Sequence, residues 1–84
     1  MSNLLNLRIC GGDVEVTGID HSARQVAMII HLNVPVAEIQ SLQAREELAE
    51  KARAARHYLI VEGFLPKRTN DWKFHMAGIS TTKA

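Results

Sequence analysis

Residues 58–74 read YLIVEGFLPKRTNDWKF, and how this stretch is parsed decides the fold. Tyr58 to Leu65 is an apolar run rich in aromatic and branched side chains. Pro66 to Asp71 is a cluster of turn formers, and an alternating run restarts at Trp72. That composition predicts a strand over 58–65, a turn over 66–71 and a strand over 72–79, with Lys67 and Arg68 at the tip of a hairpin.

Upstream, the patterns alternate between two periods. Leu5, Leu7 and Ile9 alternate with polar residues, Gly11-Gly12 interrupts, and Val14 and Val16 resume the alternation. This is one strand with a glycine kink or two short ones. GIDHS, residues 18–22, is a turn. After it Val26, Met28, Ile30, Leu32 and Val34 line one face of a half-buried strand. From Pro35 to Arg56 the residues are good helix formers. Pro35 is tolerable in a first turn, Ser41 is a candidate N-cap, and Glu47 and Lys51 stand at the favourable i, i+4 spacing.

The element order is therefore strand, strand, strand, helix, strand, strand. It is mainly β with one helix and matches a small OB-fold barrel, the alternative being an α+β sandwich. A single OB-like domain is expected over residues 1–79, with STTKA, residues 80–84, as a mobile tail.

Composition narrows the function. Eighty-four residues make one domain with a thin core, which argues against a deep enclosed catalytic pocket. Ten Lys and Arg against nine Asp and Glu leave a net charge of +1, so no global field draws in a polyanion. The distribution is uneven, because Lys67, Arg68, Lys73 and Lys83 face only Asp71 beyond residue 62. A lone cysteine, Cys10, forms no internal disulfide. The opening residues lack the pattern of a secretory signal and no apolar run is long enough to span a membrane, so a soluble cytoplasmic protein is expected.

Several catalytic or ligand-binding patterns are weak or missing. His21, His31, His57 and His75 show no metal-ligand spacing, and no metal or other cofactor is expected. Asp20, His21 and Ser22 are sequence neighbours, which rarely aim at one another as a nucleophile and its base must. Gly11-Gly12 lacks the context of a phosphate loop. The expectation is a protein that is not an enzyme.

The carboxyl-terminal third carries a resemblance. HYLIVEGFLPKRTNDWKFHMAGIS looks like the closing hairpin of the OB-fold bacterial single-stranded-DNA-binding proteins, in particular the primosomal replication protein N group. NLRICGGDVEV is similar to their opening strand, and GIDHSARQVAMIIHL to their turn and following apolar strand. Val61 to Leu65 is the most specific part. Members of that group are longer, and the helix predicted over 35–56 stands where they carry part of their dimer and DNA surface. The resemblance implies an accessory role in DNA replication restart or recombination, contact with a helicase or single-strand binder, and a homodimer.

The residues supply their own version of that expectation. A single strand presents phosphates to cations and flat bases to aromatic rings. Lys67, Arg68, Trp72 and Lys73 offer both within a short stretch, and Arg8 and Arg24 extend the track. Single-stranded DNA, or RNA, is the expected ligand. Trp72, Phe74 and Met76 share a strand face opposite Lys73 and His75, so Trp72 is either a base platform or core. The alternative function is a protein-interaction adaptor or inhibitor that docks through a helix over residues 42–56, whose mixed charges otherwise read as a solvated face.

Overall fold

The computed structural model describes residues 4–82. Strands β1 (Leu4–Ile9), β2 (Val14–Asp20) and β3 (Gln25–Pro35) are followed by helix α1 (Leu42–Val61) and strand β4 (Lys73–Thr82). They form a four-stranded sheet in the order β1-β2-β3-β4. The first three strands make an antiparallel meander, and β4 lies parallel to β3. A parallel neighbour needs a crossover, and α1 supplies it.

The strictly alternating β3 is the spine of the core. Val26, Met28 and Ile30 are fully buried and Leu32 and Val34 nearly so, while Gln25 and Asn33 on the opposite face are exposed. Val14, Val16 and Ile19 of β2 join the buried face, a bulge between Val16 and Gly18 keeping Ile19 in phase. The β1–β2 connection is a tight turn at Cys10–Gly12. All three of its residues have positive φ (56°, 70° and 93°), which explains the two glycines.

Helix α1 covers that buried face. The Ser41 Oγ accepts the Ala44 N–H at 3.1 Å, an N-cap at the predicted residue. Ala44, Leu48, Ala52, Ala55 and Leu59 then recur at helical spacing, and Ala44, Ala55 and Leu59 are fully buried. Two of these three are alanines, so the helix backbone can lie close against the sheet. The layers are one helix and one sheet.

Two expectations change. The strand predicted over 58–65 is the last helical turn and its cap. The Gly63 N–H bonds the Ile60 carbonyl at 3.2 Å and the Phe64 N–H bonds the Leu59 carbonyl at 2.9 Å, with Gly63 at φ 84°. This is a Schellman ending, with Gly63 in the left-handed position. Strand propensity in YLIV yields because Leu59 continues the buried stripe, and burying a leucine contributes about 1.5–3 kcal/mol. With no strand there, residues 66–72 form a helix-to-strand loop rather than a hairpin tip. The sheet is open, not a closed barrel, and the mainly β, one-helix reading holds at that coarser level. The predicted helix start also moves: Val36–Glu38 is a short 3-10 turn and α1 begins after it. At the other end β4 continues through Thr82, so Ser80 to Thr82 of the expected tail are strand.

Candidate nucleic-acid interface

Because α1 crosses back between two parallel strands, its carboxyl end lies where β4 begins, beside the β2–β3 turn. That end of the molecule gathers most of the predicted residues. In the turn, the Asp20 Oδ1 accepts the Ala23 N–H at 3.0 Å, and Arg24 takes the left-handed conformation at φ 56°. The Arg24 carbonyl accepts the Lys73 N–H at 2.9 Å, which joins the turn to the start of β4. The Arg24 guanidinium is paired with the Asp71 carboxylate, both well exposed. Arg24 thus lies in the turn just before β3, beside the start of β4, and is partly neutralised.

Trp72 is half-buried and packs against the core cluster. Its ring also meets the His21 imidazole at right angles, centroids 5.4 Å apart. The main-chain N–H of Trp72 bonds the Thr69 carbonyl at 3.1 Å, which closes a turn at the end of the loop. Phe74 and Met76 are half-buried against the same core, as their shared strand face predicted. Lys73 is exposed and borders, with Gln25, Phe74 and His75, a surface concavity of about 590 Å³.

Lys67 and Arg68 are exposed in the loop, and among the described residues neither they nor Lys73 form an ion pair. In the same loop Thr69 is 3% exposed, with its hydroxyl unpartnered. Leaving such a group unsatisfied costs about 1–3 kcal/mol.

Arg8 does not join this group. It lies in the cross-strand row Arg8, Glu15, Ile29, Gly78, whereas Lys73 lies in the row Asp20, Gln25, Lys73. Three strand spacings across and four residues along separate them by about 20 Å. Arg8 instead stands opposite Glu15, with a nitrogen–oxygen distance of 3.7 Å.

Other residues at this end are hidden in the sequence by the mixed charges of AREELAEKARAAR, residues 44–56, which read as a solvated helix face. Arg53, Arg56 and His57 are exposed on α1 and, with Ile60, line a recess of about 220 Å³. The i+4 and i−4 neighbours of Arg53 and Arg56 are Ala49, His57, Ala52 and Ile60, none of them acidic, while Glu50 stands three residues before Arg53 and forms no ion pair with it. This end thus collects Arg24, Arg53, Arg56, Lys67, Arg68 and Lys73 against Asp20, Glu62 and Asp71.

The opposite end is built differently. The Lys51 ammonium, with 15% of its side chain exposed, contacts Asp13 at 3.2 Å and Glu47 at 3.6 Å and donates to the His31 carbonyl at 2.8 Å. Cys10 lies near this cluster. Burial pushes its thiol pKa up, the Asp13 carboxylate adds to that, and Lys51 partly offsets it.

Among the described residues, no helix is long and apolar enough to cross a membrane, and no group of three or more His, Cys, Asp or Glu is placed to hold a metal ion. No family model, curated protein or solved structure matches this chain at significance.

Proposed function

We propose that this protein binds single-stranded nucleic acid, DNA in the first instance, without sequence preference, through the end of the sheet where β4 begins. The observation that carries the reading is the set of exposed, unpaired cations Lys67, Arg68 and Lys73 beside the half-exposed indole of Trp72. Cations attract phosphates whatever the base sequence, and the reading assigns base stacking to the part of Trp72 that the core leaves exposed. The protein acts by binding and not as an enzyme.

The narrower part of the proposal rests on the resemblance to the bacterial single-strand binders. It is an accessory role in replication restart or recombination, in the cytoplasm, as a homodimer beside a helicase or single-strand binder. In fold terms that reading takes the β1–β2–β3 meander as the opening half of an OB-like barrel that this chain leaves open.

The test is the double variant Lys67→Ala with Arg68→Ala, K67A/R68A. The double variant is expected to bind oligo(dT) and mixed-sequence oligonucleotides more weakly by the same factor, with a shallower salt dependence. Parental affinity in the double variant would remove the loop from the interface.

A second reading is a protein-interaction adaptor. Leu42 is 72% exposed and Val61 64% exposed on α1, with Tyr58 at 37%, which is apolar surface a partner could cover. An adaptor predicts no change in Trp72 fluorescence with any oligonucleotide and a stable complex with another protein.

A further inference from the structure

We infer that the carboxyl-terminal half of α1 is a second phosphate-binding surface, with Arg53 and Arg56 taking the backbone of the same strand that Lys67 and Arg68 engage. The inference rests on the nucleic-acid reading above and extends it to residues on a different element. Arg53 and Arg56 stand three residues apart on one helix face, so their side chains are neighbours. They are exposed, and among the described residues neither has a carboxylate partner.

A solvated helix face is the ordinary explanation for such arginines, and Arg45, exposed on the same helix and among the described residues also without a carboxylate partner, is the comparison for it. Lys51 on the same helix is paired with Glu47 and Asp13 and bonded to a carbonyl. Cations placed to suit the helix dipole belong in the last turn, yet the last turn of α1 contains no basic residue. Arg53 and Arg56 instead flank a recess of about 220 Å³ with His57 and Ile60. The apolar floor and charged rim suit a phosphodiester whose sugar rests on Ile60.

Continuity with the loop comes from the cap. The Leu65 N–H bonds the Leu59 carbonyl at 3.1 Å, so the chain leaving α1 returns to the helix before Lys67. Lys67 follows Leu65 by two residues, at most about 7 Å of chain. A strand lying on the loop therefore needs to cross only the last helical turn to reach Arg56.

The test compares three variants by anisotropy of a labelled dT oligomer across a salt series, with circular dichroism confirming that each is folded. R53Q/R56Q is expected to weaken binding about tenfold or more at low salt and to reduce the salt slope by about 1.4, two single-strand phosphate contacts. R45Q removes one unpaired arginine near the amino end of α1 and is expected to change little. K67A/R68A reports on the loop. If K67A/R68A weakens binding while R53Q/R56Q does not, the helix surface is overturned and the loop interface stands. If R45Q weakens binding by half as many orders of magnitude as R53Q/R56Q or more, the loss follows the number of charges removed and not their place, which also overturns it. Polyglutamate competing as well as unlabelled oligo(dT) at equal charge would show an acidic-protein surface in its place. No oligonucleotide binding by the parent protein would overturn this inference together with the reading it extends.

Discussion

The Lys51 ammonium donates to the main-chain carbonyl of His31 at 2.8 Å, so a helix side chain completes the edge of a strand. The β2 pairing ends at Val14 opposite Ile30, with one more bond from the His31 N–H to the Asp13 carbonyl at 2.7 Å. Past that point, among the described residues, β3 has no strand on its β2 side. Lys51 takes the His31 carbonyl, and Glu47 accepts the Asn33 N–H at 2.8 Å. Two side chains one helical turn apart thereby do the work of a missing strand.

Lys51→Met keeps the apolar stem and removes the charge, leaving the His31 carbonyl unpaired and Asp13 and Glu47 without their shared cation. The expected loss is about 1–3 kcal/mol by urea denaturation, larger than for an exposed ion pair. Lys51→Arg should recover part of it. A Lys51→Met protein as stable as the parent would show that water replaces the ammonium at no cost.

Gly63→Ala tests the reassignment of residues 58–65. A left-handed cap predicts a loss of about 1 kcal/mol, because alanine at φ 84° is strained although nothing lies within 4 Å of the added carbon. Were 58–65 a strand, alanine would be tolerated or favoured. Thermal unfolding should show a fall in Tm of roughly 4–8 °C.

How much of this was legible varies by element. β3 could be read outright because each core-facing position from Val26 to Val34 is apolar and its neighbours on the other face, Ile29 excepted, are more polar or smaller. The start of α1 was marked by Ser41. Its end was hidden by local composition, since Tyr58, Leu59, Ile60 and Val61 favour strands. The stripe Ala44, Leu48, Ala52, Ala55, Leu59 with Gly63 beyond it was the better guide. For the site, sequence proximity brought Lys67, Arg68, Trp72 and Lys73 together. It could not show that Arg53 and Arg56 come to the same end through the crossover, nor that Arg8 lies on the far edge strand.

Arg24 occupies a position that glycine would fill without strain. Arg24→Gly relieves the left-handed conformation and loses only an exposed pair with Asp71 worth about 0–1 kcal/mol, whereas Arg24→Ala loses the pair and keeps the strain. The glycine variant should be more stable than the alanine variant by about 1 kcal/mol in chemical denaturation. Equal stabilities would mean that the turn relaxes.

The thiol of Cys10 is held above its ordinary value of 9.0 chiefly by burial and then by Asp13. The folded state therefore holds this proton more tightly than the unfolded state does. That contribution to stability is fully present below the unfolded thiol's pKa and is lost as pH rises through the folded one. Alkylation of the native protein by iodoacetamide should have its midpoint at higher pH than alkylation in denaturant, and Asp13→Asn should shift it down. A native midpoint at or below the denatured one would contradict the placement of Cys10.

The most direct test of the central claim is an equilibrium titration of a labelled dT oligomer with the parent protein at about 50 mM and about 0.3 M salt. Binding at low salt that weakens by orders of magnitude at high salt, accompanied by quenching of Trp72, is the predicted result. Flat anisotropy and unchanged Trp72 emission at both salts, with RNA and duplex controls also flat, would contradict it.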